Sequence, residues 1–218
     1  MAKKEINLLA RLNSLVERVK NDMDENLLVF LDTGAVIDFE REISRQRRVD
    51  KEVTPSLFYN ALLKELPHMF VSEGTLKEVD NHYKYHCLNG LPEISIETRD
   101  MVRNMYSNYC NFLKHVEDIR KDAEQVRFDI YWASKFAFPE GHKKAILDPI
   151  SRTDREMVSD AAWSRYAIMP GGEIGGGVII SPDSHIAETI KVLTGKSMEA
   201  REKHGEFGYG EIKVIPSR

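Results

Sequence analysis

Four carboxylates stand where one fold could bring them together. Asp32 follows the apolar run LLVFL at 27–31, and Asp183 follows another, Val178-Ile179-Ile180, after Ser181-Pro182. Glu78 lies about one turn into a helical pattern that follows a third run, HMFVS at 68–72, and Asp154 opens the helical pattern that contains Met157 and Val158. Short apolar runs of this kind fit strands buried on both faces, as in a parallel sheet, whose carboxyl ends are where open α/β sheets bind ligands. Parallel strands joined by crossovers bring those ends to one edge. Two carboxylates about 4 Å apart repel by roughly 4 kcal/mol at an effective dielectric of 20, so such a cluster holds either protons or metal. Oxygen-only donors favour Mg²⁺ or Mn²⁺ over zinc. The positive end of the helix that Asp154 opens would offset part of the repulsion. Each acid alone has an ordinary alternative: a strand-ending Asp caps a helix or starts a turn, and a helical Glu is solvated.

The elements that must position these acids follow from periodicity. Ile6, Leu9, Leu12, Val16 and Val19 mark an amphipathic helix within 1–26, a helical extension ahead of the main domain at 27–218. Helical spacing resumes at 34–43 and ends in a basic stretch with Arg41, Arg45, Arg47 and Arg48. Thr54-Pro55 starts a helix through Phe58 and Leu62 that Pro67 ends. The helix after 68–72 runs through Val79, Tyr83 and Cys87 and is broken at Asn89-Gly90-Leu91-Pro92. The long helical pattern of 98–138 is too long for one element, so two helices are expected with a break at 120–125, and 98–144 reads as an insertion at the rim. Thr153-x-x-Glu156 spells a capping box for a helix over 154–166. A glycine-rich loop is expected at 169–177, a helix at 185–193, a glycine-punctuated loop at 196–210 and a last strand at 211–216.

Composition narrows the function classes. The 218 residues carry a net charge of −4, which argues against coating nucleic acid by bulk electrostatics and leaves room for a local basic rim. No apolar stretch approaches the roughly 20 residues that span a bilayer, so a cytoplasmic protein with no membrane partner is expected. Cys87 and Cys110 lack the spacing of a disulfide framework or a zinc site and are expected to be buried thiols. His82-x3-His86 lacks the glutamate of HExxH and a third ligand. Gly195-Lys196-Ser197 imitates a phosphate-binding loop, but Ile190 stands where its first glycine belongs. Asp32-Thr33-Gly34 also spells the active-site loop of aspartic peptidases, which requires an all-β protein in which two such loops meet.

Taken in order, strand-Asp32-Thr33, Phe70-Val71-x5-Lys77-Glu78-Val79-Asp80, Asp154-x-x-Met157-Val158 and Ile179-Ile180-Ser181-x-Asp183 resemble the acidic motifs of PIN-domain nucleases. The resemblance covers roughly 27–216. It implies a three-layer α/β/α sandwich with a mainly parallel sheet and a metal-dependent endoribonuclease that hydrolyses RNA phosphodiesters. It implies Asp32, Glu78, Asp154 and Asp183 as Mg²⁺ or Mn²⁺ ligands, directly or through water, supported by Thr33 and Ser181. Asp148 and Asp160 are near enough to Asp154 to replace or supplement it. Arg45, Lys77, Arg152 and Arg155 are candidate phosphate contacts. A PIN-like module that binds RNA or scaffolds without catalysis is the alternative. The choice of RNA, a homo-oligomer and a regulatory protein partner are left open.

Overall fold

A computed structural model describes residues 8–21, 27–90, 92–114, 150–163, 168–169, 172–173, 176–204 and 211–217. Strand β1 (Leu27–Leu31) lies inside a four-stranded, all-parallel sheet of order β2–β1–β5–β6, where β2 is Met69–Phe70, β5 is Gly176–Ile180 and β6 is Glu211–Ile215. The register pairs Leu31 with Ile180 and Ile180 with Ile215, so the strands end together at one edge.

The apolar runs are continuous because both faces are covered. Val29, Leu31, Val178, Ile180 and Ile215 enter one core. Leu28, Phe30, Ile179 and Ile212 enter the other. The first core is completed by α1 (Leu8–Asn21), α2 (Thr33–Arg47), α3 (Pro55–Glu65), α4 (Glu73–Asn89) and α5 (Ile96–Lys114). The second is completed by α6 (Arg152–Trp163), α7 (Ser184–His204) and Tyr109 from α5. Full burial of each such aliphatic side chain contributes about 1.5–3 kcal/mol, which makes this pair of cores the main source of stability.

Helix starts follow local chemistry. The Thr54 hydroxyl accepts the Leu57 amide ahead of Pro55, and the Ser72 hydroxyl accepts the Thr75 amide. Helix α4 ends at Gly90, whose φ of 62° is the left-handed conformation that terminates helices.

Several expectations are corrected. The capping box of α6 is Ser151-x-x-Asp154, in which Ser151 Oγ accepts the Asp154 amide and Asp154 Oδ2 accepts the Ser151 amide; Thr153-x-x-Glu156 is not the cap. The loop expected at 196–210 is helical as far as His204, because strong helix formers flank the single Gly195. That places Gly195-Lys196-Ser197 inside a helix, away from any phosphate-binding loop. Part of the glycine-rich loop at 169–177 forms an antiparallel pair, β3 (Ile168–Met169) with β4 (Gly172–Glu173), and its end belongs to β5. Cys87 is exposed and Cys110 half-buried, so neither is the buried thiol expected.

The extension and the insertion are also drawn into the fold. Leu12, Leu15, Val16 and Val19 of α1 are core residues, and Arg11 on α1 meets Glu42 on α2 at 2.7 Å. Val102 and Met105 of α5 are fully buried, so this first part of the expected insertion is an integral layer rather than a rim. The expected helix break at 120–125 and Asp148 lie outside the described residues. A parallel sheet clad in helices excludes the all-β aspartic peptidase reading. Among the described residues, no helix is long and apolar enough to cross a membrane.

Candidate active site

Asp32 occupies the single position between β1 and α2. It sits at the N-cap of α2 with extended backbone, yet its carboxylate makes no side-chain capping bond. Instead Asp32 Oδ2 accepts the Ser181 hydroxyl at 2.8 Å, and Ser181 Oγ accepts the Asp183 amide at 3.0 Å. Ser181 thus ties the end of β1 to the turn after β5.

The neighbouring hydroxyl works in the other direction. Thr33, buried in the first turn of α2, donates to Glu78 Oε2 on α4 at 2.7 Å. Glu78 is therefore anchored from across the site rather than left as a solvated helical residue. Asp154 and Asp183 each give one oxygen to a helix start: Asp154 Oδ2 accepts the Ser151 amide at 3.0 Å, and Asp183 Oδ1 accepts the His185 amide at 2.7 Å. Their capping role is real, and each carboxylate has a second oxygen.

Two glycines set the closeness of these elements, and neither was read from the sequence as a close-packing position. A Cβ on Gly34 would lie 2.7 Å from Pro182 Cγ and 3.1 Å from Asp32 Oδ2; one on Gly74 would lie 2.6 Å from Thr153 Cγ2. Gly34 lets α2 approach the turn that carries Asp183, and Gly74 lets α4 approach the start of α6 beside Asp154. The available signal was a glycine in the first turn of a helix, where a helix former is the usual residue.

The electrostatics join all four acids. Burial pushes the Asp32 carboxyl up to about 6; the Ser181 hydroxyl and the Thr33 amide oppose this, and the charges of Asp154 and Glu78 add to it. Asp154 is also raised, by burial first and then by Glu78 and Asp183, against its bonds from Ser151. The His185 ring adds a basic neighbour, with Nδ1 3.3 Å from Asp183 Oδ1.

The other candidates fall outside this group or are engaged. Asp160 lies further along α6; Tyr106 on α5 is raised by its Cys110 contact and by burial, with smaller additions from Glu73 and Asp160. Lys77 pairs with Glu73, Arg152 with Glu156, and Arg45 with the buried Glu42, while Arg155 is half-buried on α6. Asp80 is a structural ion partner of Arg99 and Arg103. His82 meets the Pro92 carbonyl and His86 the Tyr83 carbonyl, as ordinary helix-surface residues.

Among the described residues, no three acids, histidines or cysteines form a ready-made metal cage. The donor chemistry nevertheless fits a hard divalent cation. All the donors are carboxylate oxygens, and the mutual repulsion that adds to the raised Asp32 and Asp154 is what an ion would relieve. No protein-family model, curated protein or solved structure matches this chain.

Proposed function

We propose that the chain is a PIN-like, metal-dependent endoribonuclease, with Asp32, Glu78, Asp154 and Asp183 as the residues that would hold Mg²⁺ or Mn²⁺. The observation that carries this reading is the placement of Asp32. It stands at a helix N-cap without capping, is held by Ser181, and is raised to about 6 by burial and by neighbouring acids. A carboxylate under that strain is the behaviour of a ligand awaiting a cation.

The chain's own residues then have separate tasks. Ser181 bonds both the Asp32 oxygen and the Asp183 backbone, so one side chain ties the two strand ends together. Thr33 orients Glu78, the kind of outer support on which carboxylate ligands depend. Asp32 must lose its proton to serve. A bound Mg²⁺ or Mn²⁺ would supply an activated water and neutralise charge at the phosphodiester.

The second reading, a PIN-like module that binds RNA or scaffolds without cutting it, draws on the helix-capping bonds of Asp154 and Asp183. One experiment separates the two. Purified protein is incubated with single-stranded RNA in Mn²⁺, in Mg²⁺ and in EDTA. Cleavage with either metal, lost in EDTA and reduced about 10²-fold or more by Asp32→Asn and by Asp183→Asn, is the expected result, equivalent to roughly 2.7 kcal/mol of transition-state stabilisation. RNA binding with no cleavage under any condition would favour the module.

A further inference from the structure

Helix α2 leads away from Asp32 between two clefts. One, of about 460 Å³, is lined by Gly34, Ile37, Asp38, Arg41, Pro92, Pro182 and Pro216. It adjoins the acidic site through Gly34 and Pro182, the close neighbours of Asp32 and Asp183, although none of the four acids lines it. The other, of about 730 Å³, lies between α1 and α2 over Phe39 and Phe58 and shares Asp38 and Arg41 with the first. Together they follow the same helix.

Their lining changes along the way. Near Asp32 it is apolar, with three prolines and Ile37; farther on it carries Arg11, Arg18, Arg41 and Arg45 against only Asp38 and Glu42. The two acids are already engaged. Glu42 is held by Arg11 and Arg45, and Asp38 accepts the Ser217 hydroxyl at 2.7 Å. Arg41 is more than half exposed and meets Asp38 only at 3.8 Å. Arg18 has no charged or hydrogen-bonding partner among the described residues, and its Nε is buried unpaired. A lining with surplus guanidinium groups beside an apolar stretch of prolines and Ile37 matches a polymer that alternates phosphates with bases.

We infer that these joined clefts are the track for single-stranded RNA, with Arg41 and Arg18 as successive phosphate contacts and the proline-lined end beside Asp32 taking a base next to the cut. This rests on the nuclease reading for what happens at the acids, and it assigns the strand's path. Arg11 and Arg45 are tied to Glu42 and serve the fold; Arg18 and Arg41 are the available pair.

The test measures binding of a 12-nucleotide single-stranded RNA in EDTA, where no cutting interferes, to the full chain and to Arg18→Gln/Arg41→Gln. The double variant is expected to melt with the wild type, to bind about tenfold or more weakly, and to lower the slope of log affinity against log salt by about 1.4, the release expected from two single-strand phosphates. A dinucleotide-length RNA should bind both proteins equally. Equal affinity and equal salt slope for the 12-nucleotide RNA would overturn the track, as would wild-type protein that binds the long and short RNAs alike. If the double variant does not fold, Arg18→Gln alone is compared; it removes no ion pair, and an unchanged salt slope would likewise overturn the assignment. Cleavage in Mn²⁺ is scored separately: wild type that cuts while the variant binds normally refutes only the track, and wild type that binds along it without cutting refutes only the nuclease.

Discussion

Ser181 donates its hydroxyl to Asp32 Oδ2 over 2.8 Å, although the two stand 149 positions apart in the chain. This contact distinguishes Asp32 from an ordinary helix cap, because the carboxylate at the N-cap position makes no side-chain capping bond and is held by the neighbouring strand end. The same hydroxyl accepts the Asp183 amide, so one side chain sets the spacing of two acidic loops.

The raised Asp32 carboxyl makes the metal-free protein pH-sensitive in a defined direction. Between the ordinary value of 3.8 and about 6, the folded protein holds a proton that the unfolded chain has released, so stability falls as pH rises through that window. Above about 6 the penalty is complete, on the order of 3 kcal/mol, and Asp154 adds to it in the same direction. Asp32→Asn should therefore melt near the wild type at pH 4 and several degrees above it at pH 7.5 in EDTA. Saturating Mn²⁺ should raise the wild type, by about 2.7 kcal/mol at a hundredfold excess over Kd, and raise the variant little. A variant less stable at every pH, beside a wild type indifferent to Mn²⁺, would make Asp32 a purely structural residue.

Thr33→Val removes the donor to Glu78 while keeping the shape of the side chain. Mn²⁺ affinity measured by titration calorimetry should fall about 10–100-fold, the usual range for loss of a ligand's supporting hydrogen bond, and Thr33→Ser should restore it. Equal affinity in the Val variant would detach Glu78 from the metal site.

Gly74→Ala places a methyl group against Thr153 Cγ2 and should force α4 and α6 apart. A loss of about 1–3 kcal/mol in denaturant unfolding is expected. Thr153→Ser, which removes Cγ2, should recover part of it, so the double variant is more stable than the sum of the two changes. Additive behaviour would show that the two helices do not press on one another at this point.

Met105→Ala empties a fully buried position on α5 and should lower stability by about 2–5 kcal/mol. A surface insertion would tolerate the change with no measurable shift in unfolding midpoint. The measurement decides whether α5 is core, as its burial indicates.

Much of the fold was legible because β1, β2 and the end of β5 are apolar runs and most of the helices carry a 3.6-residue apolar stripe. The four candidate acids were picked out by their places relative to those runs, and the structure adds their electrostatic influence on one another. What escaped was information held between elements: which oxygen of each acid is engaged, the Gly34–Pro182 and Gly74–Thr153 approaches, and the Ser151 capping box, which spelling alone could not separate from Thr153-x-x-Glu156. The long α7 was misjudged because Gly195 and its neighbours were read as punctuation, whereas one glycine in open space weakens a helix by only about 1 kcal/mol. Burial of α1 and α5 was hidden for a related reason, since an amphipathic stripe does not state what covers it.

The central claim, that the four carboxylates form a site for a hard divalent cation, is tested most directly by a crystal of the wild-type protein soaked in Mn²⁺ and measured at a wavelength where manganese scatters anomalously. The account predicts an anomalous peak at the edge where β1 and β5 end, with Asp32 and Asp183 among its oxygen ligands and no such peak in Asp32→Asn crystals treated alike. Fully occupied manganese elsewhere, with Asp32 still bonded to Ser181 and no peak beside it, would contradict it.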